Sequence, residues 1–529
     1  MAEGMTAVSS NDSAWTDPQA ATTVAQLVRA AAHAFGDAPA IRFADPVLPE
    51  ETLSFAELER RSAELARGLI ARGVGKGTRI GFVFANSPAF ALWTAAIARI
   101  GAIVVPISTL IRHNELVRVL RQSDVQGLIL QRSQLGHDYA QRIVEALPEL
   151  AEATSADLRI ARAPYLRWIA CSGPDLPGAI HGPEWFSEGA ATVSEDLLRE
   201  TEREVHSTDQ FIEIYTSGSM ALPKGVKHLH GPALFRAKFI ARIANFGPHK
   251  DQTAVLPMFW VGGLMMYLMP NWVAGGLTLT GEQTMKNSQT AMGSVVPPEV
   301  LKVLAQQPQP WWGLGMSETL GPYSYGDEFR AEGWPVCAPM DNWADGYEVR
   351  IADEHDRPVG DGETGELQIR GYPVSPGLHK IEREGYYTPD GYYRTGDMCL
   401  VEHRACGKVR VHYVGRSGDM IKTASSNVSP AEVEMEMQEL DAIHSAYVVG
   451  LPDEARGQVV AAAVVAREGR APLDFTAIEA ELRKRMSGYK VPRLYVEITR
   501  DEVPMLHSNK VSKRQVAELI GQRLGRAPF

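Results

Sequence analysis

Cysteine is scarce in this chain, and the shortage excludes both a disulfide scaffold and a cysteine-rich zinc module. The four cysteines among 529 residues are Cys171, Cys337, Cys399 and Cys406. They form no C-x-x-C pair and none of the Cys/His spacings that are typical of structural zinc sites. A chain of this length with so few cysteines is typical of a reducing compartment. We therefore expect a cytoplasmic protein.

An excess of positive charge is also missing. Lys and Arg number 53 against 64 for Asp and Glu, so the formal net charge is −11. Binding to the phosphate backbone of nucleic acids depends on Lys and Arg, and a mildly acidic chain is a poor candidate for it. Residues 1–23 contain neither a basic segment nor an apolar core, so we expect a flexible tail and no secretory signal.

Long uninterrupted hydrophobic runs are missing too. The stretch 252–281 contains no charged residue, but Pro257, Pro270 and two glycine pairs interrupt it. A membrane-spanning helix needs about 20 consecutive, mainly apolar residues. We interpret the stretch as buried strands and loops of a core, and we expect no membrane span.

Helix and strand patterns alternate through the first 130 residues of a chain whose composition is close to the globular average. Ser54 and Glu57 form a capping-box pattern at the start of a helix. Residues 79–84, 103–106 and 127–130 are short apolar runs typical of buried strands, with helical patterns from Pro88 and over 113–123 between them. This alternation predicts βαβ units and a parallel sheet. The predicted fold class is α/β, with a large N-terminal domain of βαβ units and mostly parallel sheets.

The last part of the chain has a different pattern. Ser429 and Glu432 form a second capping box with Pro430 at the first helical position. The elements predicted after this helix are strands at 444–449, 459–465 and 494–498 and helices at 475–486 and 512–524. We predict a large domain over 1–417 and a small mobile α+β domain over 418–529.

A loop rich in hydroxyl groups and glycine follows the strand predicted at 211–214. It reads Tyr215-Thr216-Ser217-Gly218-Ser219-Met220-Ala221-Leu222-Pro223-Lys224-Gly225-Val226. Backbone N–H groups of such a loop bind phosphate oxygens, and Lys224 adds a positive charge. The spacing does not satisfy the Walker A pattern, and the segment alone leaves a Ser/Gly surface loop open as the alternative.

The same loop resembles the phosphate-loop signature of the adenylate-forming superfamily, T-S-G-[ST]-T-G-x-P-K-G-V, with Met220 and Ala221 in place of Thr-Gly. That superfamily includes acyl-CoA synthetases, luciferases and the adenylation domains of nonribosomal peptide synthetases. Other segments resemble its motifs in the same order along the chain. They are 256–264 (P-L-F-H-x-x-G-L), 293–298 (G-A-P-L-x-P), 313–318 (G-Y-G-x-T-E), 392–397 (Y-x-T-G-D), 415–422 (G-R-x-[KD]-D-x-I-K) and 508–511 (T-G-K-[IV]). The pattern is closest to that of the acyl-CoA synthetases.

The resemblance implies a catalytic role for three residues. Lys510 is implied to stabilise the negative charge that develops when a carboxylate attacks the α-phosphate of ATP. Arg416 is implied to donate to ribose and phosphate oxygens. Glu318, together with Thr216, is implied to hold Mg²⁺.

The resemblance also implies the binding sites for ATP, the acid and coenzyme A. The implied nucleotide-binding set comprises Thr216, Ser217, Gly218, Ser219, Lys224, Gly293, Gly315, Ser317, Asp397 and Arg416. The implied acid pocket is Phe259, Trp260 and Gly263, and the implied hinge is Gly418. Asp397 is expected to accept bonds from both ribose hydroxyls.

Two further features depart from the family pattern. The interval between Met258 and Gly315 is several tens of residues shorter than usual, and the missing piece lies between Gly281 and Ala291. A strand and a helix that line the acyl pocket normally stand there, so the deletion predicts either a reshaped pocket or a defective domain. Gly418 replaces the usual Asp or Lys of the hinge, and glycine widens the accessible backbone conformations.

His228 and His230 form an H-x-H pattern that on a strand places both side chains on one face. No third ligand of the right type lies nearby in the sequence, so we interpret the pair as satisfied or exposed histidines and not as a metal site.

The predicted function is that of an AMP-forming acid–thiol ligase. ATP and a carboxylic acid give an acyl adenylate, and coenzyme A then displaces AMP to form a thioester. The apolar segment 259–279 suits a fatty or aryl acid. Two alternatives stay open: transfer of the acyl group to a carrier protein in trans, and a degenerate, non-catalytic nucleotide-binding member. A homodimer is also left open.

Overall fold

The computed structural model describes most of the chain. The described residues are 12–45, 49–134, 136–153, 155–216, 223–281, 311–312, 314–326, 339–416, 421–423, 426–428, 430–504 and 511–526. Within them, no helix is both long enough and apolar enough to cross a membrane.

The strands are numbered in chain order. They are β1 Pro39–Phe43, β2 Glu51–Ser54, β3 Arg79–Val83, β4 Ile103–Pro106, β5 Gly127–Leu130, β6 Ser133–Gln134, β7 His137–Asp138, β8 Trp168–Cys171, β9 Gln210–Thr216, β10 Lys224–Leu229, β11 Asp251–Thr253, β12 Leu277–Thr280, β13 Trp311–Trp312, β14 Gly315–Met316, β15 Gly321–Pro322, β16 Ser324–Gly326, β17 Asn342–Trp343, β18 Tyr347–Ala352, β19 Thr364–Gly371, β20 Tyr393–His403, β21 Val409–Arg416, β22 Ile421–Thr423, β23 Ser426–Val428, β24 Ile443–Asp453, β25 Gly457–Ala466 and β26 Leu494–Glu497.

The helices are numbered in the same way. They are α1 Val24–Phe35, α2 Phe55–Ala71, α3 Pro88–Arg99, α4 His113–Ser123, α5 Tyr139–Ala146, α6 Glu149–Glu152, α7 Glu184–Ala190, α8 Glu195–Arg203, α9 His230–Ile243, α10 Val261–Gly263, α11 Met269–Ala274, α12 Pro430–Gln438, α13 Phe475–Arg485 and α14 Lys513–Arg523. A π-helical turn covers Leu264–Leu268, and short 3₁₀ turns cover Asp12–Trp15, Ser317–Thr319, Arg383–Gly385 and Arg500–Glu502.

Two mostly parallel sheets form the framework of the N-terminal part. One has the order β10-β9-β4-β3-β5-β8, in which only the β9/β10 pair is antiparallel. The other has the order β11-β12-β1-β2, in which only β1/β2 is antiparallel. The units β3–α3–β4 and β4–α4–β5 confirm the predicted βαβ pattern, and α4 has the predicted bounds.

Local sequence explains why these helices begin where they do. The Ser54 hydroxyl accepts from the Glu57 amide, and the Glu57 carboxylate accepts from the Ser54 amide, which completes the predicted capping box of α2. Ser87 caps α3, with Pro88 at the first helical position.

The prediction of strands and loops over 252–281 is wrong in the middle of that stretch. Residues 261–274 form α10, the π-helical turn and α11. Buried apolar side chains recur there every three or four residues, as a helix requires, at Val261, Leu264, Met265, Leu268, Met269 and Trp272. Pro270 lies in the first turn of α11 and Gly275 ends it with a positive φ of 75°, so the apparent helix breakers occupy positions that helices tolerate.

The other described strands form two larger sheets and three small ones, β13-β16-β17, β14-β15 and β6-β7. Strands β18-β19-β20-β21 make an antiparallel sheet that the sequence analysis did not anticipate. In the C-terminal part, β23-β22-β25-β24 is antiparallel and β26 pairs with β25 in parallel. Its predicted strands and helices are present as β24, β25, β26, α12, α13 and α14. The predicted boundary at 417/418 lies outside the described residues and stays a prediction.

Candidate active site

The predicted phosphate loop connects two paired strands. Lys224 of β10 lies opposite Thr216 of β9, so the strands on either side of the predicted loop form an antiparallel pair. Ser217, Gly218 and Ser219 lie outside the described residues, as does the side chain of Thr216. The Lys224 ammonium is half-buried and lies 4.4 Å from the centre of the Tyr386 ring, which holds this cation at the base of the loop.

A buried carboxylate fixes the strands below this loop. Glu213 is fully buried and accepts from the Tyr215 hydroxyl at 2.5 Å and from the Arg79 Nε at 3.4 Å. Burial, followed by the charge of Glu213, raises the pKa of Tyr215 far above its ordinary value, so the phenol stays a hydrogen-bond donor. A Cβ at Gly225 would lie 2.7 Å from both the Glu213 carboxylate and the Tyr215 hydroxyl, so glycine is required beside the loop.

Glu318 lies on a short turn that is bonded to the strand after the phosphate loop. The turn follows β14, and the Nε2 of His228 in β10 donates to the carbonyl oxygen of Ser317 at 2.7 Å. The Ser375 amide donates to the Glu318 carbonyl oxygen at 2.7 Å, and the Tyr393 hydroxyl donates to Glu318 Oε1 at 2.8 Å. The predicted metal-binding carboxylate is therefore held in one orientation.

Ser375 connects this turn to β10 and to a tyrosine cluster. Its hydroxyl donates to the Lys227 carbonyl oxygen at 2.9 Å, and its own carbonyl oxygen accepts from the Tyr387 hydroxyl at 2.5 Å. The rings of Tyr387 and Tyr393 pack edge to face, with centroids 5.2 Å apart. Sequence analysis missed Ser375 and Tyr387, and Tyr386 beside Lys224. No motif marks these residues, although Tyr393 lies within the quoted Y-x-T-G-D segment.

Asp397 and Arg416 face each other across two neighbouring strands. They are direct partners in the antiparallel pair β20/β21, and their binding to one ribose stays a prediction. Asp397 is buried, and its amide donates to the Thr395 hydroxyl at 3.0 Å. The Arg416 side chain lies outside the described atoms. Tyr393, which bonds Glu318, begins the same strand as Asp397, so one strand contributes to both subsites.

Gly315 lies where two chain segments approach closely. A Cβ at this position would stand 2.6 Å from the backbone of Pro322 in β15, so only glycine fits between β14 and β15. Leu314, which replaces the usual tyrosine of the G-Y-G-x-T-E motif, is half-buried and donates its amide to the Ser324 hydroxyl at 2.7 Å.

The predicted acid-pocket residues lie together on the loop before α10 and at its end. Phe259 is buried and Trp260 half-buried, with their rings edge to face at 5.6 Å. A Cβ at Gly263 would lie 2.1 Å from the carbonyl oxygen of Pro257, so glycine lets the helix fold back on this loop. Buried Asn86 fixes the loop from the other side, because its Oδ1 accepts from the Met258 amide at 2.7 Å. No motif pointed to Asn86.

Each ring of the histidine pair forms one hydrogen bond, and its other nitrogen, His228 Nδ1 or His230 Nε2, is buried without a partner among the described residues, so the prediction of a satisfied pair is only half right. Both rings are fully buried, and burial lowers the pKa of His228 to about 4 and that of His230 to about 3. His230 Nδ1 accepts from the Val24 amide at 3.2 Å. In the described part of the chain, no group of three His, Cys, Asp or Glu residues is arranged to hold a metal.

The Glu318 carboxylate fits the Mg²⁺ that the family pattern implies. Within the described residues its side chain has a neutral hydroxyl partner, Tyr393, and no cationic one. A carboxylate in that position supplies the hard oxygen ligand that Mg²⁺ prefers, with phosphate oxygens of the nucleotide completing the set. The ion would supply positive charge beside the phosphates.

Hydrogen bonds of His228 and Ser375 connect the turn of Ser317 and Glu318 to β10, the strand that begins at Lys224. Tyr393, which bonds Glu318, begins the strand that contains Asp397. Lys510, Gly293 and Gly418 lie outside the described residues, so their predicted roles stay predictions, as does the shortening near 281–291.

The fold is that of the adenylate-forming class, and Lys224, Glu318 and the Asp397/Arg416 pair remain its predicted nucleotide-binding residues. Residues 28–292 match the family described as AMP-binding enzyme, and residues 432–510 match the AMP-binding enzyme C-terminal domain. The first match alone covers just over half of the chain, so the protein belongs to the AMP-binding enzyme family.

Known relatives extend over most of the chain. The mitochondrial medium-chain acyl-CoA ligase ACSF2 of Mus musculus is 26% identical, with 95% of this chain and 88% of the relative covered. A feruloyl-CoA synthase of Amycolatopsis sp is 27% identical, with 89% of this chain and 94% of the relative covered. Among solved structures, o-succinylbenzoate CoA synthetase (MenE) from Bacillus subtilis matches with a TM-score of 0.69 at 19% identity and covers 93% of this chain and 98% of its own. The structural match supports the fold.

Proposed function

We propose that this chain is an AMP-forming acid–thiol ligase that activates a carboxylic acid with ATP and transfers the acyl group to coenzyme A. The observation that carries the proposal is the bonded arrangement around Glu318. Its carboxylate accepts from Tyr393, and its backbone carbonyl oxygen is connected through Ser375 to the strand that begins with Lys224. Relatives at 25–27% identity that cover most of the chain are acyl-CoA ligases and synthetases by name.

The arrangement suits an attack on the α-phosphate of ATP. The acid's carboxylate oxygen forms a bond to that phosphorus while the bond to the pyrophosphate oxygen breaks. Lys224 and the predicted phosphate loop would hold the departing phosphates, and Glu318 would hold the metal that offsets their charge. Asp397 would fix the ribose, and Lys510 would stabilise the developing charge.

The second step would be thioester formation. The thiol of coenzyme A attacks the acyl carbon, AMP leaves with the electron pair of the broken bond, and the thiol proton is released. The predicted rotation of the C-terminal domain about Gly418 would remove Lys510 from the site between the two steps.

The buried aromatic residues near Trp260 suit a hydrophobic fatty or aryl segment in the acid. A cytoplasmic location rests on the cysteine content and stays a prediction.

Pyrophosphate release from ATP and Mg²⁺ with a panel of acids, with and without coenzyme A, tests the proposal. We expect release that depends on the acid and rises with coenzyme A. Acid-dependent release without a response to coenzyme A would favour transfer to a carrier protein. No release with any acid would favour the non-catalytic alternative. A Lys510→Ala variant that keeps full release would refute the role of that lysine.

A further inference from the structure

Arg236 on α9 is a buried cation with no ion-pair partner among the described residues, although the charge of Asp345 acts on it. Its side chain is fully buried, and none of its three guanidinium nitrogens has a hydrogen-bond partner among the residues described. The guanidinium carbon lies 4.7 Å from the centre of the Phe239 ring and 5.5 Å from that of Tyr347. Burial lowers the pKa of Arg236, yet a guanidinium stays charged at physiological pH. Burying an unpaired charge lowers the free energy of unfolding strongly, so a contribution to stability does not explain this arginine.

Arg99 is a buried arginine whose guanidinium nitrogens all have hydrogen-bond acceptors, as expected for a structural role. Arg99 is as fully buried as Arg236, but its Nε donates to Glu202 at 2.5 Å, one terminal nitrogen donates to Ser62 at 2.8 Å, and the other donates to Glu59 at 2.9 Å. Each nitrogen of Arg99 therefore has an acceptor. Within the described ranges, the five N–H groups of Arg236 have no such acceptor.

The other long cationic side chains of α9 have partners. Lys238 donates to the carbonyl oxygen of Ala21 at 2.6 Å, and Arg242 pairs with Asp345 at 2.5 Å. Both line an open groove beside the helix, whereas Arg236 points into the protein. Asp345 is thus already engaged with a different arginine.

Arg236 also lies close to the proposed active site. The Tyr347 ring beside it donates its hydroxyl to the carbonyl oxygen of Thr319 at 2.5 Å, and Thr319 directly follows Glu318. Helix α9 packs against α11 and the π-helical turn, which continue from the predicted acid-pocket residues. One aromatic ring therefore separates the guanidinium from the turn that carries Glu318.

We propose that Arg236 binds a second carboxylate of the acid substrate, at the end remote from the carboxylate that is activated, so that the substrates are dicarboxylic acids. This inference rests on the proposed function. A planar guanidinium with free donors binds a carboxylate through two parallel hydrogen bonds. The reacting carboxylate is not the group bound here, because pairing with a guanidinium lowers the nucleophilicity of its oxygens.

Matched acids of equal chain length provide the test: octanoate against suberate, and hexanoate against adipate. Acid-dependent pyrophosphate release is compared for the wild type, Arg236→Met and Arg236→Lys. We expect the wild type to prefer the dicarboxylate. In Arg236→Met the ratio of kcat/KM for suberate over octanoate falls by at least about tenfold, as the loss of a charged hydrogen bond predicts. Arg236→Lys keeps the preference with a lower kcat/KM, and an equal ratio in wild type and Arg236→Met overturns the proposal.

Thermal unfolding without ATP separates this inference from the ligase function. We expect suberate to raise the Tm of the wild type and not that of Arg236→Met. Without ligand, Arg236→Met unfolds at or above the wild-type Tm, since it removes an unpaired charge, whereas the matched control Arg99→Met unfolds well below it. If no acid gives pyrophosphate but suberate still protects only the wild type, the anion site stands and the ligase function fails. If Arg236→Met is as destabilised as Arg99→Met, Arg236 is structural and the inference is wrong.

Discussion

Replacing Lys490 with methionine tests a buried ion cluster that joins the C-terminal part to α4. The Lys490 ammonium donates to Glu115 at 2.7 Å and to Glu432 at 2.8 Å, and all three residues are buried. Methionine fills similar space but leaves two carboxylates facing each other in a medium of low dielectric constant. Removing one partner from a buried ion pair costs about 3–5 kcal/mol. We expect Lys490→Met to lower the free energy of unfolding by that amount at pH 8.

The pH dependence gives the same test a second readout. Burial raises the pKa of Glu432 above its ordinary 4.5, and Lys490 acts against that rise. Without the ammonium the pKa of Glu432 rises further. As the pH falls, the folded variant then binds a proton at Glu432 before the unfolded chain does, since the unfolded carboxyl titrates at about pH 4.5. The loss in Lys490→Met therefore shrinks as the pH falls from 8 to 5.

Urea titrations followed by tryptophan fluorescence measure both effects. Lys484→Met is the matched control, because Lys484 pairs with Glu481 at 3.0 Å on the surface with its side chain 69% exposed, and exposed pairs contribute little. If Lys490→Met and Lys484→Met unfold at the same urea concentration at both pH values, the buried cluster does not stabilise this interface and the reasoning is refuted.

Three further predictions concern the site and its surroundings. Tyr393→Phe removes the hydroxyl that orients Glu318, so we expect kcat for pyrophosphate release to fall about tenfold with an unchanged Tm; an unchanged kcat at limiting Mg²⁺ would contradict it. The pKa of buried His228 is about 4 in the folded chain, so between pH 6.5 and 4 only the unfolded state binds a proton there. The free energy of unfolding therefore decreases by roughly 3 kcal/mol as the pH is lowered through this range. His228→Gln should flatten that part of the curve of unfolding free energy against pH, and an equally steep curve would refute the assignment. Gly263→Ala places a Cβ 2.1 Å from a backbone carbonyl oxygen and should lower the Tm strongly, whereas Gly262→Ala meets only the tip of a leucine side chain; equal Tm values would be the contrary result.

Sequence reasoning located the elements whose signals are local. The bounds of α4 follow from its own periodicity, and the start of α2 follows from the reciprocal bonds of Ser54 and Glu57. It failed at residues 261–274, where glycine and proline suggested loops although the apolar spacing was helical. Proline in the first turn of a helix and glycine directly after its last turn are both compatible with the helix between them.

The candidate site divides in the same way. Motifs singled out Lys224, Glu318 and Asp397, because each lies in a short segment that resembles a family motif. They did not reveal Ser375 or Asn86, whose roles depend on contacts between segments far apart in the chain. They also gave no reason to single out Arg236, since an arginine inside a helix is ordinary until the fold removes it from water without supplying an acceptor.

The proposed reaction couples ATP cleavage between the α- and β-phosphates to thioester formation. The most direct test incubates the purified protein with ATP, Mg²⁺, coenzyme A and single acids, and quantifies nucleotide and thioester products by mass spectrometry. We expect AMP and acyl-CoA in equal amounts, with no ADP. ADP as the nucleotide product, or AMP formed without thioester at saturating coenzyme A, would contradict it.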